Sequence, residues 1–162
     1  MILQYDRNLD PGLRKMGCEY LSLLAAVELE TSMCIRPSEA NDLWAALVDQ
    51  GMVNSNNGLF LPGSYRSALS QALARNGRAS WIGDMVADVI DGKVSFYGWW
   101  HSTTFDYVLE RKLLLNGTPH TILRDYRFHV IYNSCPLLST GTHVSFHLLW
   151  IGARSEWAKA TV

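Results

Sequence analysis

Runs of like charge are missing from this sequence, and its basic residues are scattered, so it carries no electrostatic footprint for nucleic acid or an anionic membrane surface. No apolar stretch approaches the roughly 20 residues that cross a bilayer, so membrane insertion is not expected. The start, Met1-Ile2-Leu3-Gln4-Tyr5-Asp6, lacks the basic segment, apolar middle and small-residue cleavage site of a signal peptide. Cysteine is scarce. Cys18, Cys34 and Cys135 are odd in number and lack metal-type spacing, which argues against a disulfide framework and a zinc site. These absences lead to the expectation of a reduced, cytoplasmic protein that needs no cofactor and reaches other compartments only if another protein delivers it. Internal repeats, low-complexity tracts and linkers are also absent.

What is present is a core. The chain has 162 residues, is 48% hydrophobic, has a net charge of −1, and contains six tryptophans and seven tyrosines. That is enough apolar mass for one domain over residues 1–162. Residues 1–17, with Asp10-Pro11-Gly12 and Gly17, read as a lead-in loop. Cys18–Thr31 is apolar on nearly every side, which predicts a helix surrounded by protein. Ser38 is the expected N-cap of a second helix, whose stripe Ala40, Leu43, Trp44, Leu47, Val48 ends at Gly51. A loop follows over 52–63, then a helix capped by Ser64 with the stripe Tyr65, Ala68, Leu69, Ala72, Leu73. Beyond Gly77 the texture changes. Ser80-Trp81-Ile82 reads as a short strand and Asp84–Ile90 as a short helix or turn. Further strands are expected near 94–99, 105–114, 119–124, 127–133 and 142–151. Helices first and strands second give an α+β class, with an antiparallel sheet packed on a helical layer.

The stretch Lys15-Met16-Gly17-Cys18-Glu19-Tyr20-Leu21-Ser22 puts a cysteine in the first turn of the central helix. Unpaired N–H groups there favour thiolate over thiol, so Cys18 is either a small core residue or a nucleophile. A thiolate needs a base and a group to hold that base. Of His101, His120, His129, His143 and His147, His120 is best placed. With Tyr126-Arg127 as a two-residue turn, the strands around it pair His120 with Asn133 on one face, while His129 faces Arg124 at the far end. Asn133 would then fix the tautomer and leave the second ring nitrogen for Cys18. A one-residue slip would separate the pair. A turn role for Asn133 before Ser134-Cys135-Pro136 is an equally good account. His143 and His147 fall on one strand face without a third metal ligand.

Taken in order, Gln4-x-Asp6, Gly17-Cys18-x-x-x-Ser22, Gly117-x-Pro119-His120-x-x-Leu123 and Val130-Ile131-Tyr132-Asn133-x-x-Pro136 resemble the papain-like cysteine peptidases. The resemblance is to the compact bacterial branch that includes the double-glycine-leader (bacteriocin-processing) peptidases, and it spans almost the whole chain. It implies a papain-like fold, with Cys18 as nucleophile, His120 as base, Asn133 as orienting residue and Gln4 as oxyanion donor. Asp is commoner than Asn at the Asn133 position, and an aromatic residue often follows the histidine where this chain has Thr121. The resemblance implies a bacterial or phage hydrolase that cuts peptide or amide bonds in a peptide or protein substrate. The same site would suit a cell-wall peptide endopeptidase, an acyl or amide transferase, or a catalytically silent member that binds a partner through the groove. Oligomeric state is left open.

Overall fold

Asp10-Pro11-Gly12 does not remain a loop. The computed structural model describes residues 1–61, 63–77, 81–90, 93–96, 99–101, 105–136 and 141–152. In it Pro11–Met16 forms a short helix, α1. Proline suits a first helical turn because its missing N–H has no partner to lose there. Gly17 ends α1 and opens α2, Cys18–Thr31. A Cβ on Gly17 would lie 2.6 Å from the Leu13 carbonyl oxygen, so only glycine lets the chain bend that tightly. Every residue from Cys18 to Val27 is buried, as the apolar run predicts.

The third helix, α3, runs Pro37–Asp49 and buries Ala40, Leu43, Trp44 and Leu47. Its cap is Arg36, not Ser38. Glu39 accepts the Arg36 backbone N–H at 2.8 Å and its guanidinium at 3.1 Å, and Pro37 at the first helical position starts the helix early. The fourth helix, α4, spans Tyr65–Arg75 with the expected stripe buried; Ser64 precedes it, but its hydroxyl makes no capping bond.

The strands are β1 Trp81–Ile90, β2 Lys93–Phe96, β3 Trp99–His101, β4 Tyr107–Leu113, β5 Pro119–Asp125, β6 Val130–Asn133 and β7 Thr142–Gly152. They form one sheet in the order β3-β2-β1-β7-β4-β5-β6, with every pair antiparallel. Asp84–Ile90 is therefore strand, not helix or turn. It is drawn into the ladder by β7, from Trp81 opposite Gly152 to Ala87 opposite Phe146. Ser80 and residues 97–98 of the expected strands lie outside the described residues. Fold class is α+β, with an antiparallel sheet beside the helices.

The two faces of the sheet differ. Leu109, Leu123, Tyr132, Leu149, Ile151 and Ile82 join the helices in the main core. The opposite face carries a smaller cluster built on Phe105, Val108 and Leu148, with Phe128, Phe146 and Trp150 against it.

Candidate active site

Cys18 opens α2 and packs beneath the start of β5, where only 5% of it is exposed. Its thiol makes a long contact to the Pro119 carbonyl, Sγ to O 4.0 Å. Ser22, one turn on, donates to the Thr121 carbonyl at 3.3 Å, so the helix start and the strand start are held together.

His120 follows Pro119 and is 2% exposed. Its Nε2 lies 2.8 Å from Asn133 Oδ1. The same Oδ1 accepts the Cys135 backbone N–H at 3.1 Å. A backbone N–H can only donate, so that amide atom is the oxygen, and the His120 Nε2 facing it must carry hydrogen. In the neutral ring Nδ1 then holds the lone pair. The tautomer is set by geometry.

The pair meets, though not in the expected register. Ile122, not His120, stands opposite Asn133. The turn has three residues, Tyr126-Arg127-Phe128, because Phe128 takes a left-handed φ of 64° and the Asp125 N–H closes on the His129 carbonyl at 2.9 Å. That shifts the register by one. A bulge then passes from Arg124 opposite Val130 to Leu123 opposite Tyr132, which shifts it by one more. Two single slips restore the face, and His120 reaches Asn133 diagonally. The same turn places Val130, not His129, opposite Arg124. His129 stays largely in solvent beside Asp125, 3.4 Å away.

Gln4 is fixed in place. Its N–H donates to the Ser134 carbonyl at 2.8 Å, and its Oε1 accepts the Ser134 hydroxyl at 3.0 Å. Tyr132 also donates to the Ile2 carbonyl, so the chain start is pinned beside β6. With Oε1 spent, the Gln4 amide offers Nε2 as donor. Gln4, Cys18 and His120 line one cleft of about 470 Å³, whose rim is Asn56 and Asn57 on one side and Leu114, Gly117 and Thr118 on the other. No direct hydrogen bond joins Cys18 to His120 among the described residues; they share the cleft, and the thiol faces Pro119.

The electrostatics reverse one expectation. Burial pushes the Cys18 thiol up; N–H groups of Thr121 and Glu19 and the Thr121 hydroxyl oppose this, and the Glu19 charge adds to it. Burial also pushes the His120 imidazole down, against the Asn133 bond that supports its protonated form, with Lys112 across the strand adding to the depression. Both shifts favour thiol and neutral imidazole over thiolate and imidazolium. The helix start does not deliver a resting thiolate because burial outweighs the donors there. No family model, curated protein or solved structure matches this chain. The site must be read from its own chemistry.

The buried polar cluster beside it, Glu19 with Tyr65 and Arg111 and with Thr121 nearby, is not anticipated in the sequence. Glu19 is 1% exposed, accepts the Phe60 N–H at 2.8 Å and Arg111 at 2.7 Å, and takes the Tyr65 hydroxyl as well. Thr121 is also buried. The available signal was one carboxylate, Glu19, inside the apolar run Cys18–Val27, which demands a buried partner. The expected shared face of His143 and His147 is also corrected. A bulge between Arg111 and Lys112 pairs Ser145 with the first and His143 with the second. His143 therefore meets Glu110 at 3.4 Å on the outer face, while His147 meets Asp84 at 2.8 Å on the helix-facing side. The side chain of His101 lies outside the described residues.

Proposed function

We propose that the protein is a cysteine hydrolase of the papain-like kind, acting on a peptide or amide bond through Cys18, His120 and Asn133. What supports this most is the His120 Nε2–Asn133 Oδ1 bond at 2.8 Å, which leaves Nδ1 basic in the cleft that Cys18 also lines. Because the resting pair is neutral, His120 acts as a general base rather than as half of a preformed ion pair. For this step Sγ must leave the Pro119 carbonyl and approach Nδ1, a move that a change of the Cys18 side-chain rotamer would have to supply. The ring takes the proton as sulfur attacks the substrate carbonyl, and Asn133 Oδ1 holds the imidazolium that forms. Negative charge on the carbonyl oxygen is met by the Cys18 N–H and Gln4 Nε2. The imidazolium protonates the leaving amine, and water then cleaves the thioester.

Cys18→Ala and His120→Ala should each abolish hydrolysis of a peptide library; turnover that survives Cys18→Ala refutes the mechanism. Zymography on cell walls beside a casein-type assay separates a wall endopeptidase from a general peptidase. A second reading, a silent member that binds peptides in the cleft, is favoured by the direction of the thiol. It predicts peptide binding that is equal in wild type and Cys18→Ala, with no Cys18-dependent product from either substrate. Both readings fit a protein free of the membrane, and no described helix is long and apolar enough to cross one.

A further inference from the structure

A second cavity, about 320 Å³, opens on the helix-facing side of the sheet. It shares a wall with the Cys18 cleft, because Glu19 follows Cys18 and Thr121 follows His120. The 52–63 loop borders both, with Asn56 and Asn57 at the cleft and Phe60 and Gly63 at the cavity.

Its acceptors are already used. Glu19 receives Phe60, Tyr65 and Arg111. Asp84 receives Arg66 Nε at 2.5 Å and His147 Nε2 at 2.8 Å. The donors are in surplus. Among the described residues Arg111 commits one terminal nitrogen, to Glu19 at 2.7 Å and the Tyr65 hydroxyl at 3.4 Å. Among the described residues its Nε is buried without a hydrogen-bond partner; the Thr121 hydroxyl, beside the Cys18 thiol whose ionised form it favours, also lacks a partner within hydrogen-bond distance, and Ser145, directly across the ladder from Arg111, adds a hydroxyl to the wall. Arg66 and Arg111 balance Asp84 and Glu19, so no excess negative charge repels an anion. A cavity with spent acceptors and idle donors calls for a ligand rich in acceptors.

We propose that this cavity binds a carboxylate, held by the Arg111 guanidinium with the hydroxyls of Ser145 and Thr121. It rests on the cysteine-hydrolase reading only in making that carboxylate part of a peptide substrate bound next to Cys18. The carboxylate is either an acidic side chain or a free C-terminus, and two probe pairs distinguish them. The first is the α-amide of N-acetylglutamate against the α-amide of N-acetylglutamine. The second is N-acetylglycine against its amide.

Calorimetry on the full chain carrying Cys18→Ala, with backbone amide NMR shifts, should find at least one acid bound about 10- to 100-fold tighter than its amide, as a charge-assisted pair implies. The shifts should centre on Thr121 and Ser145. Arg111→Lys keeps a cation beside Glu19 but loses the guanidinium fork, and should erase most of the preference. If that variant fails to fold by circular dichroism, Ser145→Ala, a small change, must still reduce the preference. Equal binding of acid and amide in both pairs, no binding at millimolar concentration, shifts elsewhere, or a preference untouched by Ser145→Ala each overturn the proposal. A preference for acid without Cys18-dependent turnover refutes the hydrolase and leaves this site standing. Cys18-dependent turnover with no preference refutes this site alone.

Discussion

Replacing Asn133 isolates the contact on which the site depends. In Asn133→Ala the buried His120 Nε2–H loses its acceptor, 2.8 Å away, and the Cys135 N–H loses its acceptor at 3.1 Å. An unsatisfied buried donor costs about 1–3 kcal/mol, and Cys135, half-buried, recovers part of its loss from water. The expected destabilisation is therefore roughly 1–3 kcal/mol, or a fall of about 2–12 °C in melting temperature for a chain of this size. The imidazole responds too. Asn133 is the group that supports its protonated form, so removing it should push the ring further below its ordinary value. Asn133→Asp should act in the opposite sense, because a carboxylate stabilises imidazolium better than an amide.

Nitrogen-15 NMR of the histidine rings measures all of this. Wild type should show His120 protonated at Nε2 and bare at Nδ1 near pH 7.5. Asn133→Ala should titrate at lower pH than wild type and Asn133→Asp at higher pH, with the tautomer preference weakened in the alanine variant. A wild-type ring protonated at Nδ1 would refute the argument, because the nitrogen facing the cleft would then be a donor and unable to take the Cys18 proton. Identical titration in all three proteins would show that Asn133 does not act on the ring.

Other perturbations test neighbouring parts of the site. His120 has its pKa lowered in the fold from 6.5, so below that pH the unfolded chain binds the extra proton; stability should fall as pH drops through 6.5, and His120→Gln should flatten that slope in urea titrations. The raised Cys18 thiol acts at the other end, since above pH 9.0 the unfolded chain loses its proton first, and Cys18→Ala should remove that alkaline loss. In alkylation at neutral pH the exposed Cys34 should label ahead of buried Cys18, and mass spectrometry after substrate-like peptide is added should show Cys18 gaining rate if the cleft activates it. Glu19→Gln should destabilise by about 3–5 kcal/mol by breaking its buried pair with Arg111, yet speed Cys18 alkylation, because Glu19's charge opposes the thiolate. Gly17→Ala drives a methyl into the Leu13 carbonyl and should cost roughly 1–3 kcal/mol by thermal melt.

How much of this was legible follows from which forces act locally. The α2 helix was, because an apolar run with no polar face has one stable home, inside the fold. The stripes of α3 and α4 were legible for the same reason. Asp84–Ile90 was not, since Asp84 to Ala87 pair with β7, a partner some sixty residues away that no local pattern encodes, and Asp88 to Ile90 pair with the short strand β2. The His120–Asn133 contact is the instructive case. Its existence was inferred from a two-residue turn that is not there. The real turn holds Phe128 in a left-handed conformation at φ 64°, which sequence disfavours, and a bulge beyond it adds the compensating residue. Parity alone decided the outcome, for one slip would have parted the pair and two returned it to the same face. The protonation state was the least legible of all. A helix start argues for thiolate, and only the packing of Cys18 beneath β5 reveals that desolvation prevails. Sequence spacing can therefore bring a cysteine and a histidine into one cleft, but whether they rest as an ion pair or as a neutral pair depends on burial, which spacing does not encode.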